Sequence, residues 1–233
     1  MYLSKKATMN RVRVEGDVII LGPTTLGQGT LIGAYAIIGY PMYRKIREID
    51  TAGNILESYD EISEGTIIGK SCVIRSHTVI YEKVKIGNMV QTGHSVLIRE
   101  NTEIGDRSVV GTHSIIDGDV KIGKEVSIQS GSYIPPKSIV GNNVFLAPFV
   151  VITNDKYPAS KRLLGVMIED DAIIGANSVL ISGVKIGRGA VVASGAIVTR
   201  DVPPNKVVLG APARVVMSRE EYERKKREYE LKG

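Results

Sequence analysis

The sequence predicts an all-β protein: a parallel β-helix of hexapeptide repeats, coiled every 18 residues, followed by a short C-terminal helix. Three observations carry that prediction. From Ile68 to Ile152 an Ile, Val or Leu recurs every six positions, with Thr92 the one departure. Four residues after each comes a small or branched residue, as at Cys72, Thr78, Val84 and Val90. The composition is 43% hydrophobic yet only 5% aromatic, with 2 Phe and no Trp, which suits an interior too narrow for large rings. A helical period of 3.6 cannot hold this phase, and simple strand alternation would not skip at fixed intervals. Self-similarity of this kind marks stacked repeats.

The elements follow in order. The frame opens at Val14, Ile20, Leu26, Ile32 and Ile38, leaves the pattern over residues 41–61 and resumes at Ile62. Alternation around Ala52-Gly53-Asn54 predicts a protruding hairpin-like loop there. Gly69, Gly87, Gly105, Gly123 and Gly141 recur 18 apart, so three hexads close one coil, with Gly expected where the backbone turns tightly. About nine coils at ~4.8 Å each give a prism of roughly 43 Å. A second insertion, 153–167 (TNDKYPASKRLLGVM), precedes a shifted frame from Ile168 to Val198. Residues 1–217 thus read as one solenoid domain and 218–233 as a helix. Ser218 and Glu221 form its capping box, and Tyr222 and Tyr229 share one face. Repeat insertions often mark the binding face, so both loops are candidate functional elements.

Composition narrows the partners. The single cysteine, Cys72, excludes an internal disulfide framework, and its inward position predicts a buried, inert thiol. No apolar run is long enough to span a membrane, and no signal-like segment opens the chain, so a cytoplasmic location is expected. A net charge of +5 fits anionic small molecules as well as nucleic acid. The charges of the tail nearly cancel, so no nucleic-acid partner is expected. His77 and His113 occupy equivalent hexad positions two coils apart, with His94 on the coil between them, which puts all three on one corner.

The hexads and the ending VVASGAIVTRDVPPNKVVLGAPARVV resemble the left-handed parallel β-helix acyltransferases. The stretch IGKEVSIQSGSYIPPKSIVGNNVFLAPFVVITNDKYPASK is similar to the nucleotide-sugar N-acetyltransferases of that superfamily. The resemblance implies left-handed coiling, a homotrimer with active sites between subunits, and acetyl-CoA lying along the groove between solenoids. It places coenzyme contacts at Ala176 and Ser194, and adenosine-phosphate contacts at Thr199, Arg200 and Arg214. It implies an acetyl-CoA-dependent N-acetyltransferase acting on an amino sugar, nucleotide-linked. His113 and Asp155 are the candidate catalytic residues, and His77, His94, Asn154 and Lys156 the candidate substrate contacts. O-acetylation or acylation of another amine is the alternative reaction. A γ-carbonic-anhydrase-like lyase and a non-catalytic scaffold are alternatives of other classes. The lyases of the superfamily pair two His five residues apart on one chain; this sequence has no such pair, and no metal is expected. Two departures from relatives stand out. Ile128-Gln129-Ser130-Gly131 replaces a common Ile-Gln-Asn-Asn, and Leu97–Glu100 lacks a His-x-x-His.

Overall fold

The computed structural model describes residues 1–49 and 53–232. Its chain winds as a three-sided left-handed parallel β-helix, because each hexad buries one aliphatic residue and then turns. The first face runs from Tyr2–Leu3 to Ile197–Val198, the second from Thr8–Met9 to Lys185–Ile186, and the third from Arg13–Val14 to Lys206–Leu209 and Arg214–Ser218. Among the described residues these faces hold 10, 9 and 11 strands. Neighbouring rungs pair in parallel at an 18-residue register, as in Leu97↔Ile115 and Ile115↔Tyr133. The aliphatic ladder is buried from Ile20 to Ile38 and from Ile68 to Val198. Ile62, where the frame was expected to resume, instead ends a helix and is half-buried, so the solenoid restarts one hexad later, at Ile68. Ten rungs on the first face exceed the nine coils expected, because the fold begins at Tyr2–Leu3, ahead of the frame read from Val14. Leu3 and Met9 lie at the open end of the prism and stay exposed, so burial does not impose the Ile/Val pattern on them.

Thr92, the odd residue of the hexad ladder, is buried and accepts a hydrogen bond from the Arg75 N–H at 3.0 Å. The hydroxyl is satisfied inside the prism, so the substitution leaves no orphaned polar group.

The glycine column has a different cause from the one expected. Gly69, Gly87, Gly105, Gly123 and Gly141 are absent from the positive-φ positions. Instead, a Cβ on Gly105 would meet the Gly123 carbonyl at 2.6 Å, and one on Gly123 would meet that of Gly141 at 2.6 Å. These glycines are required by rung-to-rung approach. The left-handed backbone falls two residues later, at Ser71 (φ 55), Met89 (φ 56), Arg107 (φ 58), Glu125 (φ 59) and Asn143 (φ 54).

The first insertion is helical, not a hairpin. It contains α1 (Tyr43–Ile46) and α2 (Ile55–Ile62); of the turn read at Ala52-Gly53-Asn54, Ala52 lies outside the described residues. Asn54 caps α2, accepting from the Leu56 N–H at 3.1 Å, while its amide donates to Glu57 at 3.1 Å. That Asn-x-x-Glu signature was legible as a helix start. The insertion is anchored by buried Glu82, which accepts from Lys45 (2.7 Å), the Met42 N–H (3.0 Å) and the Glu64 N–H (2.7 Å). The second insertion returns to the buried pattern at Val166, just before Met167–Ile168. Both insertions leave the same corner, between the first and second faces.

At the C-terminal end, Arg214–Ser218 folds back antiparallel onto Lys206–Leu209. Helix α3 (Arg219–Glu230) follows, with the Ser218 hydroxyl accepting from the Glu221 N–H at 3.2 Å. Arg219 ties it to the prism through the carbonyls of Gly189 (2.9 Å) and Asp171 (3.2 Å). Among the described residues no helix is long and apolar enough to cross a membrane. Cys72 is buried, which pushes its thiol pKa up.

Two surface carboxyls link this fold to pH. Glu64 is held below its ordinary pKa by hydrogen bonds from Lys45 and then Lys83. Asp170 is held down first by the Asn142 backbone N–H and then by the charge of Arg188. A depressed carboxyl contributes stability above its unfolded pKa, near 4, and loses it as pH falls through the folded value. Thermal melts followed by circular dichroism are expected to fall steeply below about pH 4. Asp170→Asn should flatten part of that fall.

Candidate active site

The sequence-nominated residues gather on two corners flanking the first face. On the third–first corner, His77, Ser95, His113, Gly131, Phe149, Asn177 and Gly195 occupy equivalent places on successive coils. Each has a positive φ, 62° at His77 and 59° at His113. The residue before each forms a second column: Ser76, His94, Thr112, Ser130, Pro148, Ala176 and Ser194. Backbone bonds join the columns, with the His113 N–H donating to the His94 carbonyl at 3.0 Å and the Gly195 N–H to that of Ala176 at 2.8 Å. All three histidines are exposed here. The His94 Nδ1 lies 2.7 Å from the Ser76 hydroxyl, and the His77 ring stacks on Tyr35 with centroids 5.1 Å apart. Ala176 and Ser194 stand on the same corner, toward the C-terminal end. A Cβ on Gly195 would meet nothing within 4 Å, so the strip beside them is open. Arg214 follows at that end and is exposed, its guanidinium bonded only to the Ala213 carbonyl among the described residues.

Asn154, Asp155 and Lys156 lie elsewhere, on the first–second corner, with Thr199 and Arg200 on that same corner nearer the C-terminal end. His113 and Asp155 are therefore not brought together within one chain; the width of the first face separates them. Ser182 clasps the 153–166 segment, its hydroxyl donating to the Asn154 carbonyl at 3.0 Å, while the Thr153 hydroxyl accepts from the Ser182 N–H at 2.9 Å. Asp155 Oδ2 accepts from the Ser160 N–H at 3.4 Å, but its Oδ1 is buried with no partner among the described residues. Such an acceptor has a standing preference for a donor from a bound molecule or a neighbouring chain. The Lys156 ammonium lies 5.9 Å from the Tyr157 ring centroid.

Along the edge of the first face runs a polar strip that the sequence reading missed. Tyr40 meets Tyr59 of α2 and Tyr81 edge-on, at 5.6 and 5.1 Å, and the Arg99 guanidinium lies 5.7 Å from the Tyr81 ring centroid. Arg99 donates to Asp117 at 2.9 Å and Glu100 at 2.8 Å. The Tyr133 hydroxyl lies 2.8 Å from Asp117 and 3.0 Å from the Asn154 side-chain amide. One hydroxyl proton cannot serve two oxygens at once, so the Tyr133 hydroxyl donates to the nearer Asp117, with the Asn154 Oδ1 as its alternative acceptor. Burial, then Asp117, pushes the Tyr133 pKa up to about 12, which keeps the phenol a donor. The strip joins both insertions. Its signal was present: Tyr81, Arg99 and Asp117 are 18 residues apart.

Tyr133→Phe removes the central link of this strip. Loss of the hydrogen bond is expected to weaken the anchorage of the loop by about 1 kcal/mol. Trypsin should then cut faster after Lys156, Lys161 or Arg162, with the melt of the prism little changed.

Phe149 was missed as well. It is 57% exposed, and a Cβ on Gly131 would lie 2.5 Å from its ring carbons, so the ring rests on Gly131 one coil from His113. The Gly131 that departs from the Asn-rich pattern of relatives is the residue that makes room for that ring. Among the described residues, no group of three metal-ligating side chains comes together.

Known proteins bear on this geometry. Residues 61–164 match the family described as GMPPB C-terminal domain, and residues 165–200 the hexapeptide repeat of succinyl-transferase. The 2,3,4,5-tetrahydropyridine-2,6-dicarboxylate N-acetyltransferase of Staphylococcus aureus is 46% identical over 88 residues. That match takes in 38% of this chain and 36% of the relative, so it spans about a third of the curated protein. The UDP-N-acetylglucosamine acyltransferase from Campylobacter jejuni is 17% identical over 94% of this chain and 77% of its own, with a TM-score of 0.55. That likeness is one of fold. WeeI from Acinetobacter baumannii is 31% identical over 50% of this chain and 55% of its own, with a TM-score of 0.41. Six-residue frame, 18-residue register and three-faced prism make the chain a left-handed β-helix of hexapeptide repeats, and the matched family models and the Staphylococcus aureus relative make it similar to the acyltransferases built on that fold.

Proposed function

We propose that the protein is an acetyl-CoA-dependent N-acetyltransferase acting on an amino sugar, in its nucleotide-linked form. The observation that carries this reading is the alignment of His113 with the open strip at Ala176 and Ser194 on one corner. A long thin thioester laid along that strip points its acyl end toward the histidine. Arg214 at the end of the strip offers a guanidinium to phosphate oxygens, a geometry guanidinium groups favour. Acetyl-CoA supplies an activated acyl group, which a neutral amine attacks without prior deprotonation. What the chain must supply is an acceptor for the proton that the nitrogen then sheds, and His113 holds that position. Backbone N–H groups of the corner are available to the oxyanion. The N-acetyltransferase name of the Staphylococcus aureus relative supports the same reaction type.

The two corners complete one site if copies of the chain assemble. The first face presents Ile37, Val79, Leu97, Ile115, Val151 and Ile197 outward in a nearly unbroken apolar column, whereas the second interrupts Ile67, Ile139 and Met167 with Lys85, Glu103, Lys121 and Lys185. An apolar face of this extent favours a partner. We take it as the contact of a homotrimer in which the histidine corner of one copy meets the loop edge of the next. That arrangement would give the orphaned Asp155 Oδ1 its donor.

The test is release of free thiol from acetyl-CoA in the presence of an amino-sugar panel, free and nucleotide-linked, with mass spectrometry locating the acetyl group on nitrogen. Silence across all amines would sink the reading, as would an acetyl group found only on oxygen.

A further inference from the structure

The N-terminal end of the histidine corner carries a group of side chains for which acetyl transfer itself has no use. Tyr35 is 60% exposed and lies nearly parallel to the His77 ring, with an interplanar angle of 21°. Its position borders a groove of about 480 Å³ whose walls include Val18, Ile19, Ile37 and Leu56 of α2. The carboxylate near this groove, Asp17, is occupied by the Met1 ammonium at 3.1 Å. Arg75, two residues before His77 on the same corner, is exposed and has no carboxylate partner among the described residues. Some exposed cations of the prism pair, such as Lys85 with Glu103 and Arg107 with Glu125, whereas Lys70, Lys121 and Lys124 share with Arg75 the lack of a carboxylate partner among the described residues. Ser76, between Arg75 and His77, links its hydroxyl to the His94 ring of the next rung.

A stacked aromatic pair beside an apolar groove accepts a planar heterocycle. A guanidinium beside it accepts phosphate oxygens. From the rung of Tyr35 to that of His113 is three steps, Ile37↔Val79↔Leu97↔Ile115, about 14 Å at ~4.8 Å each. A ribose and a diphosphate bridge such a span between a base and a sugar. We propose that Tyr35, His77 and Arg75 bind the nucleoside diphosphate of the acceptor, an assignment that rests on the amino-sugar reading above. Coenzyme A also contains a nucleoside diphosphate. Its strip at Ala176 and Ser194 lies on the opposite side of His113, which leaves the N-terminal stretch to the acceptor.

Isothermal titration of the full-length protein with UDP and, separately, with coenzyme A tests this without any turnover. Tyr35→Ala and Arg75→Gln are each expected to weaken UDP binding roughly tenfold, with coenzyme A binding unchanged. Tyr35→Phe, which keeps the ring, should bind UDP like the parent, and matching circular dichroism spectra show that the variants are folded. Wild-type protein that binds coenzyme A but not UDP overturns the proposal. So does UDP binding that neither substitution weakens, or a loss confined to coenzyme A. In the thiol-release assay, free amino sugars acetylated as well as nucleotide-linked ones overturn it too, while leaving acetyl transfer standing. Silence with every amine alongside normal UDP binding in the parent and loss in the variants has the opposite meaning: the nucleotide site stands and the acetyltransferase reading fails.

Discussion

Replacing His113 by alanine is expected to slow acetyl transfer by about 10²–10⁴-fold, the range associated with a positioned general base. The loss should fall on kcat, because the amine attacks unaided and only the later proton transfer lacks its acceptor. Binding of coenzyme A, which lies toward Ala176 and Ser194, should be unchanged. The backbone at this position is left-handed (φ 59). His113→Asn, which tolerates that conformation, is therefore the companion variant that removes the base without straining the turn. Steady-state thiol release and calorimetric binding check both halves. Turnover equal to the parent in both variants would remove His113 from the chemistry and leave the proton to Asp155 or to the departing thiolate.

Gly105→Val should produce the largest loss of stability. The new Cβ would stand 2.6 Å from the carbonyl carbon and oxygen of Gly123, which are backbone atoms of the next rung. A side-chain collision can be relieved by a rotamer change, whereas this one requires two coils to separate and their hydrogen bonds to lengthen. Overpacking of this kind costs about 3 kcal/mol or more, which lowers Tm by roughly 6–12 °C in a chain of this size. Gly53→Ala is the control, since a Cβ there meets nothing within 4 Å and its φ is not positive. Its melt should match the parent. Equal melts for both variants would show that the column tolerates separation and that its glycines have some other cause.

The fold was legible because the inside of a narrow prism admits few side chains. Ile68, Ile74 and Ile80 repeat because each fills the same place, and Thr92 could enter only with its hydroxyl satisfied. The left-handed positions were illegible for the opposite reason. Ser71, Met89, Arg107 and Glu125 share one backbone conformation while their side chains point into solvent, so no residue type marks it. The role of the glycine column was misread because glycine answers two needs, positive φ and close approach, and sequence alone does not separate them. In the candidate site, 18-residue arithmetic places the histidines on one corner. The same arithmetic puts the 153–167 loop after a first-face strand, hence on a different corner from His113. Tyr59 reaching Tyr40 depends on how α2 packs, which no spacing discloses. Phe149 lying on Gly131 is legible only once the coils are stacked.

The shared left-handed turn has a consequence for how such a protein changes. Tyr35, His77, Ser95, His113, Gly131, Phe149, Asn177 and Gly195 hold φ between 54° and 73° on one corner. A phenol, an imidazole, an amide, a bare hydrogen and a phenyl ring thus occupy one scaffold position without altering the coil that bears them. Chemistry along this edge can be exchanged one residue at a time, like type in a composing stick, while the aliphatic ladder behind it stays fixed. New acceptor preferences can arise here without new folds.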